Sequence, residues 1–236
     1  MRKKRIIIGL IVTLCLIMQA TPVFAYRPNT IYFMPKDSVT SISNPERNYL
    51  IVVNHEHPIN LNGSFVEDLQ RDLVYMPNVV DGDTMAVEKA AYLAFTRLQR
   101  DLETEDGIRI GLYDGYRTAD DQEYLLSQNL TNTAAKVGYS EHHTGLVLDI
   151  VLWHSEDGKK YEWYSETVER QKTIPEFKKI HEKMVDYGFI ERYPNGKQDI
   201  TGIEYIPYEI RFVGSSQIAH AITDNNLCLE EFVGMN

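Results

Sequence analysis

The stretch GYSEHHTGLVLDIVLW, residues 138–153, places one carboxylate, Asp149, inside an apolar run, and any fold for this chain has to accommodate it. Glycines at 138 and 145 bound a polar loop, and residues 146–153 read as a buried strand. A charge left unpaired there would cost several kcal/mol, so a metal ion or a cation must lie against it. His142, in the preceding loop, offers an imidazole, and an imidazole with a carboxylate begins a three-ligand zinc site that keeps a position for water. An ion pair from Asp149 to Arg117 or Arg211 is the plain alternative. His143 competes with His142, but neighbours in an extended segment point to opposite sides, so one of the two joins Asp149. His55, His57, His154, His181 and His220 share no loop with an embedded acid and read as surface or satisfied side chains.

Working outward toward the N-terminus, IRIGLYDGYRTADDQ (108–122) alternates Ile108, Ile110 and Leu112 as a half-buried strand. A turn follows, then a helix opened by the capping box Thr118-x-x-Asp121. Arg117 therefore sits where a guanidinium can project into a cleft and hold a carboxylate or an anionic carbonyl oxygen, with Gln122 in reach of the same space. Val87, Ala90, Ala94, Leu98 and Leu102 recur at steps of three and four, predicting a main helix over 86–106 capped by Asp83 or Thr84 and stopped by Gly107. YLIVVN (49–54) reads as another buried strand. Toward the C-terminus, 154–172 reads as a surface insertion, and Pro175 opens a helix with Phe177, Ile180 and Met184 inward and Gly188 closing it. ITGIEYIPYEIRFVG (200–214) is strand-like but interrupted by Pro207, and Ser215 or Ser216 caps a last helix through Ile222. Strands and helices do not alternate regularly, which predicts an α+β fold: a compact single domain with a mainly antiparallel central sheet and packed helices.

The chain has 236 residues and a formal charge of −10. Residues 1–25, MRKKRIIIGLIVTLCLIMQATPVFA, run from a basic cluster through an apolar stretch to Val23-Phe24-Ala25, the pattern of an export leader or, if uncleaved, an N-terminal membrane anchor. Its removal takes away four positive charges and leaves −14, which argues against a nucleic-acid binder. Cys228 is then the one cysteine left, so no intrachain disulfide forms and stability rests on a core. Residues 26–48, rich in Pro, Asn, Ser and Asp, suit a linker or arm, and 49–236 form the domain.

Taken together, YLIVVNHEHPI (49–59), YDGYRTADDQ (113–122), YSEHHTGLVLDI (139–150), YGFIERYPNGKQDITG (187–202) and IRFVG (210–214) resemble the zinc D-alanyl-D-alanine carboxypeptidases of the VanY type, peptidase family M15. The resemblance covers Tyr49 to the C-terminus. It implies an α+β fold shared with hedgehog signalling domains, one zinc ion, an extracytoplasmic bacterial setting, and cleavage of the C-terminal D-alanine of peptidoglycan stem peptides or their precursors. By the same resemblance, His142 and Asp149 are zinc ligands, Ser140 binds the substrate carboxylate, and Arg117 and Gln122 polarise the scissile carbonyl and stabilise its oxyanion.

The family's remaining motif is Glu-Pro-Trp-His, an apolar residue, then Arg, and it falls on Ile206-Pro207-Tyr208-Glu209-Ile210-Arg211. Its Glu is the general base and its His the third ligand, so Ile206 stands in the base's place and Glu209 in the ligand's, with Tyr208 as a substrate-binding position. A carboxylate oxygen ligates zinc at about the distance of an imidazole nitrogen. Glu209 therefore completes a site with His142 and Asp149, or acts as the base itself with His143 or water as third ligand; Glu204 is another candidate base. The expected function is that of a zinc carboxypeptidase, the alternative a relative that binds wall peptides without cutting them or serves as an envelope interaction module.

Overall fold

The computed structural model describes residues 46–128, 134–156, 160–163 and 173–235. The expected leader (1–25), nearly all of the arm (26–48) and much of the expected insertion (154–172) lie outside the described residues.

Helix α1 (Ser64–Arg71) leads into a hairpin of β1 (Leu73–Pro77) and β2 (Thr84–Glu88), paired from Leu73 opposite Glu88 to Pro77 opposite Thr84. Helix α2 (Lys89–Asp101) follows at once and tightens into a π-helical turn, Leu102–Asp106, which Gly107 ends in the left-handed conformation. The main helix thus begins at Lys89, three residues later than the periodicity predicts, because residues 84–88 pair with β1 and the Glu88 side chain accepts from Ala91 N at 2.9 Å as the cap. The buried face is the expected one, with Ala90, Ala94 and Leu98 inward.

The central sheet contains β3 (Ile110–Asp114), β4 (Val147–Glu156), β6 (Phe189–Glu191) and β7 (Glu209–Phe212) in the order β3-β4-β7-β6, with β5 (Lys160–Trp163) on the far end of β4. All pairs are antiparallel. Leu146, Leu148, Ile150 and Leu152 join the core with Phe95 and Leu98 of α2 and Phe177, Ile180 and Met184 of α4 (Pro175–Met184). Period two then sends Asp149 to the opposite face. Helix α3 (Ala119–Ser127) opens with the expected Thr118–Asp121 capping box. Short helices α5 (Gln198–Thr201) and α7 (Leu229–Phe232) and the Ser215-capped α6 (Ser216–Thr223) complete the fold.

Residues 49–54 are buried at several positions but join no sheet. Side chains occupy the backbone groups a strand would pair: Arg211 donates to the carbonyls of Tyr49 (2.8 Å) and Ile51 (3.2 Å), and Val53 N donates to Glu141 at 3.3 Å. Glu141 also pairs with Arg211 and, at 3.0 Å, with Arg192, which reaches Glu230 at 2.7 Å. This network clamps the N-terminal segment, the loop before β4, β7 and the C-terminal helix to one another. Just before it, Arg47 is buried and pairs with Asp72 at 2.6 Å, so the contacts of the domain include a residue ahead of Tyr49.

Candidate metal centre

Three adjacent strands place one acid each in a row. Asp149 of β4 pairs with Glu209 of β7 on one side and with Asp114 of β3 on the other. The second pairing depends on a bulge between Leu112 and Asp114, which brings Asp114 rather than Tyr113 opposite Asp149. Ahead of β4, a 3-10 turn, Glu141–Thr144, carries His142 over the same spot. Its Nε2 lies 3.7 Å from Asp149 Oδ1 and 3.9 Å from Glu209 Oε1, and one donor atom from each of the three lies within 4.8 Å of the others.

The details suit a cation. His142 Nδ1 donates to the Gly115 carbonyl at 2.6 Å, which leaves Nε2 unprotonated and aimed at the carboxylates. Burial, then the nearby Arg117, lowers the His142 pKa to about 4, so the ring is neutral, as a ligand must be. Asp149 Oδ1 is buried without any hydrogen-bond partner. Such an atom carries its full desolvation cost unless an ion meets it. Burial raises Asp149 to about 7, and burial followed by repulsion from Asp149 carries Glu209 well above the usual carboxylate range. A metal ion fits this donor set.

His143 is also buried, but both ring nitrogens are committed: Nδ1 donates to the Arg117 carbonyl at 2.8 Å, and Nε2 accepts from Gly138 N at 3.1 Å. It braces the two loops around the centre and has no nitrogen left for a metal. Arg117, the plain alternative partner of Asp149, is 3.6 Å from Asp149 Oδ2, while its main partner is Asp114, met at 2.7 Å by both Nε and Nη2. Arg211 pairs with Glu141 instead. Gln122 is fully buried, donating to Ala135 O at 2.7 Å and accepting from Arg117 Nη1 at 3.4 Å. It steadies the guanidinium. Ser140 is buried at the start of the 3-10 turn, and its carbonyl accepts from His143 N at 3.1 Å.

Tyr208 is half-buried next to Glu209; burial, then Asp149 and Glu209, raise its pKa, so the phenol keeps its proton and remains a donor. Ile206 is half-buried with its N donating to Tyr193 O at 3.3 Å, and Glu204 is exposed. A cavity of about 560 Å³ lies elsewhere, lined by Phe177, His181, Glu191, Tyr205 and Ile222 among others, and none of the three candidate ligands borders it. Sequence reasoning missed Asp114, Gly115 and Glu141. The first two sit inside YDGYRTADDQ, where a strand-end acid three residues before an arginine was the available signal. Glu141 lies between two site residues and carries no signal of its partners.

The VanY family model, D-alanyl-D-alanine carboxypeptidase, matches residues 84–215, which include every residue of the centre. The chain belongs to the VanY family. Among the relatives of this VanY-family protein, the bifunctional D-Ala-D-Ala dipeptidase and carboxypeptidase VanXYC of Enterococcus gallinarum is 34% identical over 199 residues, covering 78% of this chain and 93% of that one. A D-alanyl-D-alanine carboxypeptidase of Enterococcus faecium is 28% identical over 193 residues, covering 78% of this chain but only 57% of the relative's length. The fold is similar to that of the LD-carboxypeptidase LdcB, studied for peptidoglycan recognition, with a TM-score of 0.61 and 28% identity over 79% of this chain and 86% of that one. It is also similar to a vancomycin-resistance D,D-pentapeptidase VanY in complex with Zn(II), with a TM-score of 0.56 and 25% identity over 79% and 99% of the two chains.

Proposed function

We propose that this VanY-family protein is an exported metallopeptidase that removes the C-terminal D-alanine from peptidoglycan stem peptides at a centre held by His142, Asp149 and Glu209. The observation that carries the proposal is the buried, unpartnered Asp149 oxygen facing an unprotonated His142 nitrogen. A bound divalent metal such as zinc supplies Lewis acidity and an acidified water there. The chain's own groups do the rest. Arg117, held by Asp114 and Gln122, presents a fixed cation for the carbonyl oxygen that becomes anionic. Ser140 and the Tyr208 phenol supply polar contacts for the peptide's end. The wall-peptide substrate class is supported by what the relatives' names state. Export rests on the leader pattern of residues 1–25, with 26–48 as the arm and 49–236 as the catalytic domain.

A second reading has its own observation. Ile206 occupies the family's general-base position and cannot move a proton, and a positioned base typically contributes about 10²–10⁴-fold. The protein would then hold stem peptides without cutting them. The two readings part in one experiment, in which purified protein is incubated with a D-Ala-D-Ala-terminated pentapeptide while D-alanine release and peptide affinity are both followed. Release supports the peptidase, affinity without release supports the silent binder, and the absence of both release and affinity overturns both readings.

A further inference from the structure

The donor set of the centre differs from the family motif in a way that bears on which metal it takes. One imidazole nitrogen and two carboxylates converge here, where the motif that the chain resembles implies two imidazoles and one carboxylate. Imidazole favours zinc and its later transition-metal neighbours, whereas carboxylate oxygen suits manganese and the hard alkaline-earth ions. Two carboxylates also bring four oxygens, so the ion can expand from four ligands toward the six that harder ions prefer. Asp149 and Glu209 together balance a dication fully, and the third acid of the row, Asp114, is occupied by Arg117. The remaining His142, fixed through Gly115, still disfavours magnesium and calcium relative to a transition ion.

We propose that Glu209 retunes this centre from a zinc-selective site to one that accepts Mn²⁺ at an affinity much closer to that of Zn²⁺. The inference rests on the metal centre of the proposed function but not on hydrolysis. Zinc still leads on the general affinity order of divalent ions; what changes is the size of the lead. The substitution that the motif suggests, Glu209→His, restores the nitrogen and with it the preference.

The test uses the full-length protein stripped of metal and titrated separately with Zn²⁺ and Mn²⁺. Bound metal is measured by mass spectrometry after equilibrium dialysis, and Mn²⁺ occupancy by loss of the free-ion electron paramagnetic signal. The ratio of the Mn²⁺ to the Zn²⁺ dissociation constant is expected to be about tenfold or more smaller in the native protein than in Glu209→His. Glu209→Gln, which keeps the shape but removes the charge, is expected to weaken Mn²⁺ more than Zn²⁺ and serves if the histidine variant folds poorly. His142→Ala should abolish binding of both ions. Equal ratios in native protein and Glu209→His, equal losses for both ions in Glu209→Gln, or Mn²⁺ binding that survives His142→Ala would overturn the proposal. D-alanine release with an unchanged ratio would leave the peptidase reading standing and remove this one; a compressed ratio without release under either metal would do the reverse.

Discussion

Asp149 and Glu209 stand opposite each other as paired residues of β4 and β7, both buried, with one Asp149 oxygen unpartnered. Like charges directly opposite on a sheet destabilise it, and burial increases the penalty. The pair is therefore a cost to the metal-free protein that a bound cation removes. Chelation is expected to lower the melting temperature, with metal at 100 times its dissociation constant restoring about 2.7 kcal/mol. Asp149→Asn should stabilise the metal-free form by about 1 kcal/mol and erase the metal-dependent rise. Thermal melts with and without chelator check both; an Asp149→Asn protein that still gains stability from metal would show that the ion binds elsewhere.

The Gly115 carbonyl that orients His142 depends on the absence of a side chain at that position. A Cβ on Gly115 would lie 2.5 Å from Ala86 O and 2.9 Å from the Val87 side chain, both in β2. Since Tyr116 N already bonds Ala86 O at 2.6 Å, the backbone has no room to retreat. Gly115→Ala is expected to displace the turn and lower metal affinity about 10–100-fold, the usual result of disturbing a ligand's outer partner. Titration calorimetry measures it; unchanged affinity would mean that the Gly115 contact does not hold the ring.

Arg117 is positioned more than it is exposed, with Asp114 and Gln122 fixing its guanidinium from two sides. In a protein that releases D-alanine, Arg117→Ala is expected to lower kcat about 10²–10³-fold, the range for losing one oxyanion donor. Asp114→Asn should act through Arg117 and cost about tenfold in kcat with KM little changed. Steady-state kinetics on the stem pentapeptide separate the two constants. A rise in KM alone would assign Arg117 to holding substrate instead.

How much of this was legible in the sequence depends on whether a residue's partner was local. The strand around Asp149, the Thr118 cap, the Pro175 helix and the stop at Gly107 follow from short-range pattern, and each formed as expected. His142 was recognisable because it shares a loop with the acid it faces. Residues 49–54 look like a strand to any local rule, yet their carbonyls are taken by Arg211, which is about 160 residues away in the chain. Hairpin partners β1 and β2 were invisible for the same reason: the apolar helix pattern overran the boundary that pairing with Leu73–Pro77 sets at Glu88. The bulge that brings Asp114 to Asp149 has no composition of its own.

Glu141 links two fully buried arginines, and breaking a buried charge network by removing one member costs about 3–5 kcal/mol. Glu141→Gln is expected to lose about 3 kcal/mol of unfolding free energy. Because Glu141 adjoins His142 and Arg211 lies two residues beyond Glu209, the same change should weaken metal binding as well. Glu230→Gln, which breaks only the outer half of the network through Arg192, should destabilise without that second effect. Chemical denaturation with parallel metal titrations compares the two; equal metal affinity in both variants would confine the network to stability.

Ile206 and Glu209 stand at the base and third-ligand positions of the motif that the chain resembles, and these two departures invite a reconstruction. Ile206→Glu alone supplies a base beside a centre that still has two carboxylates, so its water stays weakly acidified. Glu209→His alone restores the nitrogen donor but leaves no group to take the proton. Only the double change provides both, and D-alanine release is expected to rise by about 10² or more over the native protein, with the single changes well below it. The cycle of four proteins, assayed with metal saturating in each, measures the coupling directly. A folded, metal-bound double variant no faster than native would mean that position 206 does not present its side chain to the bound water. The replacement base would then have to be sought among the two carboxylates of the same segment, Glu204 and Glu209.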